Sequence, residues 1–183
     1  MIFAYDTDLT LRAACVLVNS DRVDGDQLGD TARLGAYLDT FGWTGRRDSD
    51  AAELSAVHRL RARLGEIWAA ADDEERTVEL VNNLLGDTKA APWLTRHPEM
   101  PEWHLHLASA DDPLWQRMGA EIAMALADLI RMGELRRLKI CAAPDCAAVL
   151  TDLSRNRSRL FCDTGNCGNR QHVAAYRQRQ RRE

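Results

Sequence analysis

Four cysteines crowd the last quarter of this 183-residue chain. Cys141 and Cys146 stand with four residues between them, Cys162 and Cys167 likewise, and fifteen residues separate the two pairs. Thiols paired at matched intervals are how a chain offers four thiolates to one tetrahedral zinc ion, each loop presenting two sulfurs. The residues between them suit such loops: Pro144 and Asp145 in the first, and Asp163, Thr164, Gly165 and Asn166 in the second, are frequent turn formers. Four thiolates leave no open position for water, so one structural Zn2+ is expected rather than a catalytic one. A segment of about forty residues buries little apolar surface, and metal ligation would supply the folding energy it lacks. Cys15, the fifth, lies in an apolar helical stretch and is expected to be a small core residue.

The chain then runs into arginines. Arg170, Arg177 and Arg181 recur at i, i+7 and i+11, on one side of a helix, with Arg179 and Arg182 beside them. Arg155, Arg157 and Arg159 sit in the loop between the cysteine pairs. Guanidinium groups bind phosphate and guanine edges bidentately, so this array points to DNA. Arg170 has a structural alternative, bracing the metal module through Asp163 or Asp152. Gly168 would permit a close backbone approach or an unusual dihedral beside the metal, Asn169 could cap the following helix, and Val173 and Tyr176 are expected to face the core.

Charge separates this module from what precedes it. Residues 1 to 135 hold 13 basic and 24 acidic side chains, whereas residues 136 to 183 hold 11 basic and 4 acidic. The first part would repel a polyanion and the second attract one. The chain therefore divides into an acidic helical domain, 1–135, and a basic finger, 136–183.

The elements that must position the finger are mainly helical. Leu9 to Ser20 is a short buried helix; Leu28, Leu34, Tyr37, Leu38 and Phe41 recur at helical spacing; Leu54 through Ala71 form a longer apolar stripe. Asp72, with Glu75 three residues on, reads as a helix start, and Asp112 followed by Pro113 as an N-cap and first-turn proline for a central helix that Gly133 stops. Between these helices the prolines of "APWLTRHPEMPEWHLHLAS" bound a small hairpin, in which Trp103, Leu105 and Leu107 alternate with His104 and His106 as in a half-buried strand. The fold class is thus mainly α, with a helical N-terminal domain, a small β hairpin and a C-terminal four-cysteine zinc-finger module ending in a helix. "ELRRLKI" enters the first cysteine without a spacer, which implies that the two modules touch.

Other chemistry is sparse. His97, His104 and His106 could suggest a second metal or ligand site, but histidines alternating along a hairpin are expected to be solvated. The acids at Asp72, Asp73, Glu74 and Glu75 suit a helix start against the macrodipole better than acid-base catalysis. With no nucleophile motif or phosphate-binding glycine loop, no enzyme activity is expected. The opening "MIFAYDTDLT" carries neither a basic leader nor a long apolar stretch, and no run reaches membrane-spanning length. A cytoplasmic protein without a membrane partner is expected, in a compartment where clustered cysteines bind metal rather than pair.

The pattern "C(x4)C … DLSRNRSRLFC(x4)CGNR" resembles the CGNR zinc-finger family, whose tetrapeptide stands here as Cys167, Gly168, Asn169 and Arg170. The likeness covers about residues 137–179. Members pair this finger with an N-terminal, largely helical ABATE domain, which "LVNS" at 17–20 and "GDQL" at 25–28 resemble here. The resemblance implies a stress-induced transcription regulator, with Cys141, Cys146, Cys162 and Cys167 as zinc ligands and with Asn169, Arg170 and the following helix on a DNA-binding face. The chain departs from the pattern at Leu150, where an aromatic is usual, and at Arg159-Leu160-Phe161, where Arg-Arg-Trp is usual. One arginine is lost, while Phe161 can keep the aromatic packing. The expected function is DNA binding through the finger, with the helical domain sensing a small molecule or protein partner or mediating dimerisation. The alternative is a zinc-stabilised protein-interaction or redox-sensing module that does not bind DNA.

Overall fold

The protein is described by a computed structural model covering residues 5–22, 25–97 and 100–180. Its element order is α1 (Tyr5–Asn19), α2 (Thr31–Thr40), α3 (Ala51–Ala69), α4 (Glu74–Asp87), β1 (Trp93–His97), β2 (Met100–His106), α5 (Leu114–Arg131), β3 (Leu138–Ile140), β4 (Val149–Thr151) and α6 (Cys167–Gln180). The mainly helical expectation holds.

Helices α2, α3 and α4 begin at capping aspartates. The side chains of Asp30, Asp50 and Asp73 accept hydrogen bonds from the backbone N–H of Arg33, Glu53 and Arg76. At α3, Glu53 also reaches back to the N–H groups of Asp48 (3.0 Å) and Ser49 (2.9 Å), closing a reciprocal cap. Two start signals fall elsewhere than the sequence suggests. Asp73, not Asp72, caps α4; and Asp112 turns its carboxylate back to the N–H of Ser109, leaving Pro113 at the cap position of α5. Asp73 has the extended backbone that lets a cap stand clear of the first turn, whereas Pro113 offers no side-chain cap.

Helix α5 packs against α1, α3 and α4. Its Met118, Ile122, Ala123, Leu126 and Leu129 join Leu11, Leu17, Val57, Leu60, Leu64 and Trp68 in one apolar core. "GDQL" has a structural task beside it: Asp26 grips Arg61 of α3 through both oxygens, at 2.8 and 3.0 Å. The Arg61 hydrogen bonds hold its carboxyl down at about 2 against the opposing effect of burial.

The hairpin β1–β2 is antiparallel, with Leu94 opposite Leu105 and Thr95 opposite His104. Its orientation reverses the expectation. Trp103 is 66 % exposed while His104 is 7 % exposed, so the imidazoles face inward and the apolar face looks out. Two features account for this. Arg96 stacks over the outer Trp103 ring at 4.9 Å, and the inner face lies over polar residues of α1 and α5. Leu107, just past β2, is buried as expected.

Strands β3 and β4 pair antiparallel from Leu138–Thr151 to Ile140–Val149. Leu138 and Val149 belong to the same apolar core as the helices, whereas Leu150 packs with the cysteines, so the strand pair carries both. Among the described residues, no helix is long and apolar enough to cross a membrane.

Candidate metal centre and nucleic-acid interface

The two cysteine loops meet. The Sγ atoms of Cys141, Cys146, Cys162 and Cys167 all lie within 4.8 Å of one another, and all four are free thiols. Cys146–Cys162 and Cys162–Cys167 are separated by 3.7 and 3.6 Å. A tetrahedral ion with Zn–S bonds of about 2.3 Å sets its sulfurs about 3.8 Å apart, which these two separations match, and the remaining ones, within 4.8 Å, need shifts of no more than about 1 Å. Cys141 is fixed by its N–H on Ala148 O and Cys146 by its N–H on Ala143 O; the N–H of Ala142 bonds Leu160 O and so ties the two loops together.

Donors also point at the sulfurs. The Cys162 N–H lies 3.4 Å from Cys141 Sγ, and an Arg170 guanidinium nitrogen 3.2 Å from Cys167 Sγ. Arg170 holds the Cys167 thiol below its usual range. Burial, and then the neighbouring cysteines, push Cys162 up to about 12. A bound dication would supply the charge that this crowding of sulfur lacks.

Gly165 and Asn166, rather than Gly168, shape the second loop. A Cβ on Gly165 would come within 3.0 Å of Cys167 Sγ, and Asn166 has a φ of 49°. Gly168 meets only ordinary contacts with Phe161, which keeps the packing role expected of it. Asn169 does not cap α6. It lies inside the first turn and donates to Asn166 Oδ1 at 2.8 Å.

The arginines of the array meet different fates. Arg170 turns back onto the finger, pairing with Asp145 at 2.8 Å rather than with Asp163 or Asp152. Arg157 pairs with Glu134 at 3.2 Å; Arg159 pairs with Asp163 and donates to Phe161 O. Arg155, Arg177 and Arg179 are exposed. Arg181 and Arg182 lie outside the described residues. The apolar pair expected to face the core faces solvent instead, with Val173 48 % and Tyr176 57 % exposed. Helix α6 leaves the finger after one turn and has no core to bury them against.

Asp152 is the hub of the intervening loop and is fully buried. Its carboxylate accepts from Lys139 Nζ (2.7 Å), the Ser154 hydroxyl and N–H, and the Arg159 N–H (2.8 Å). Burial alone would raise its pKa; these hydrogen bonds overcome that and hold it at about 2.

Sequence reasoning missed the residues that join finger to helices. Asn19, ending α1, acts as a third strand for β4: its Nδ2 donates to Val149 O at 2.8 Å and its Oδ1 accepts from Val149 N at 2.7 Å. Arg22 donates to Ala147 O and Trp68 Nε1 to Leu150 O. Cys15 packs at this seam, with Sγ 3.2 Å from Thr151 Oγ1; burial raises its thiol to about 11. The available signal was an asparagine at the end of an otherwise apolar helix.

Fold and cluster together define a class of protein, a helical domain with a cysteine-ligated finger docked on its flank. Residues 11–133 match the ABATE family, described as "putative stress-induced transcription regulator", and residues 137–180 match the CGNR zinc finger. No curated protein matches the chain. The chain belongs to the ABATE family and ends in a CGNR zinc finger.

Proposed function

We propose that the protein is a DNA-binding transcription regulator in which one structural zinc ion pins the finger, the exposed part of α6 and Arg155 contact the duplex, and the helical domain senses a signal or partner. The observation that carries this reading is that Arg177 and Arg179 stand exposed on a projecting helix with no ion pair among the described residues, while Arg157, Arg159 and Arg170 are paired within the protein. Asn19, Arg22 and Trp68 fix the finger on the helices, so the direction of α6 is set relative to the sensing domain. Backbone-positioning contacts of this kind require such fixed geometry.

The test is fluorescence anisotropy of zinc-loaded protein with duplex DNA over a salt series. Affinity should fall with salt, and Arg177→Ala and Arg179→Ala should each reduce the log–log slope by about 1. Binding and slope unchanged in the double variant would remove α6 from the interface. The exposed Val173 and Tyr176 favour a second reading, a protein-docking helix. Absence of any DNA binding at low salt, with zinc bound, selects it.

A further inference from the structure

The inward turn of the hairpin brings two imidazoles into a defined arrangement. His104 Nδ1 lies 2.9 Å from Glu102 O, and His104 Nε2 lies 3.2 Å from His106 Nε2. A carbonyl only accepts, so Nδ1 carries the His104 proton and Nε2 presents its lone pair, which receives the His106 N–H. Anchoring the far nitrogen on a backbone carbonyl is the arrangement that orients a metal-ligating histidine. The separation also suits chelation: bonds of about 2.0–2.1 Å at tetrahedral angles place two nitrogens about 3.3 Å apart.

The pair borders a partly open cavity of 160 Å³ lined by the hairpin, α1, α5 and the turn after α2. That is about the size of a cavity that admits one six-membered ring. Asp6, Glu121 and Asp128 also line it. Arg117 is the guanidinium among its lining residues, and it is committed elsewhere: its three nitrogens donate to the carbonyls of Asp112, Thr44 and Arg46. Among the described lining residues three carboxyls accompany this one guanidinium, and Glu121 becomes an anion only above about pH 7.

We infer that His104 and His106 form a second metal site, binding one divalent transition-metal ion through their Nε2 atoms at the wall of this cavity, the proton shared between those nitrogens being released to solvent as the ion enters. Among the described residues no group of three His, Cys, Asp or Glu donors includes them. Imidazole donors select zinc, nickel or copper over magnesium or calcium. The site is separate from the cysteine cluster. It deepens the sensing role proposed for the helical domain by naming a ligand class, and rests on that reading only for its regulatory consequence.

The experiment uses the full chain with its cysteine cluster already loaded with zinc. Ni2+ is titrated in by calorimetry, with the histidine ring signals followed by NMR. The expected result is one further ion per chain, selective broadening of the His104 and His106 signals, and affinity weakened at least about ten-fold in His106→Asn and in His104→Asn, with the cysteine-bound zinc retained. If His104→Asn fails to fold, the half-buried His106→Asn and the wild-type spectra carry the test. A titration that ends without a further ion, or uptake that leaves both rings unperturbed, overturns the site. Uptake with unchanged DNA affinity keeps the site and refutes its regulatory consequence alone; loss of DNA binding in every state refutes the DNA reading without touching the metal.

Discussion

Replacing Asn19 by alanine gives the sharpest test of how finger and helices are joined. Its amide satisfies both the N–H and the C=O of Val149, and both residues are buried. Truncation leaves two backbone groups unpaired where water does not reach, at about 1–3 kcal/mol each. Some of this is recovered by local relaxation, so a net loss of about 2–4 kcal/mol is expected. For a chain of this size each kcal/mol shifts Tm by about 2–4 °C, giving a fall of roughly 5–15 °C. Urea unfolding of zinc-saturated protein, followed by tryptophan fluorescence, reads the change, because Trp68 bonds Leu150 on the same strand. Asn19→Asp should be at least as damaging, since it turns a carboxylate oxygen toward Val149 O. Asn82→Ala, on the exposed face of α4, should stay within about 0.5 kcal/mol. An Asn19→Ala variant as stable as that control would refute the strand-mimic argument.

Two further outcomes follow from buried carboxyls. Asp152→Ala should leave the Lys139 ammonium with only the Arg157 and Arg159 carbonyls, free the Ser154 and Arg159 N–H groups, and destabilise the finger by about 2–4 kcal/mol, seen as faster zinc release to a chelator; unchanged release would show that the loop is held otherwise. Burial pushes Glu121 up from 4.5 to about 7, with Arg117 opposing and Asp6 assisting. The folded chain therefore keeps a proton that the unfolded chain gives up above about pH 4.5, and stability falls as pH rises to about 7 before levelling. Glu121→Gln removes this loss, gaining no more than about 3 kcal/mol at pH 8 and little at pH 5. Parallel stability–pH curves for the two proteins would contradict it.

The metal centre was legible because ligation constrains short stretches: two loops with matched intervals and turn residues say nearly all that the cluster requires. Helices α1 to α5 were legible for a similar local reason, since a 3.6-residue stripe records which side meets the core. The hairpin was legible as an element, but its orientation was not. A period of two defines two faces without saying which turns inward, and the deciding surface comes from Asp6 and Glu121, on the helices α1 and α5 that precede and follow it. The arginines failed in the same manner. Spacing put Arg170 in line with Arg177, but the Asp145 that captures it stands 25 residues away. Val173 and Tyr176 were misplaced because helical spacing was taken to mean a core, and α6 has none to offer.

Strand β4 has a consequence for how such chains can be rearranged. One of its residues completes the helical interior and the next lines the sulfur cluster, so the two halves cannot be traded as independent cassettes. A version ending near residue 136 would leave Asn19 and the Trp68 indole N–H without their partners, and a finger transplanted alone would carry Val149 bare. Stripping the ion should accordingly be felt in the melting of α1 and α3, which bond to this strand through Asn19 and Trp68.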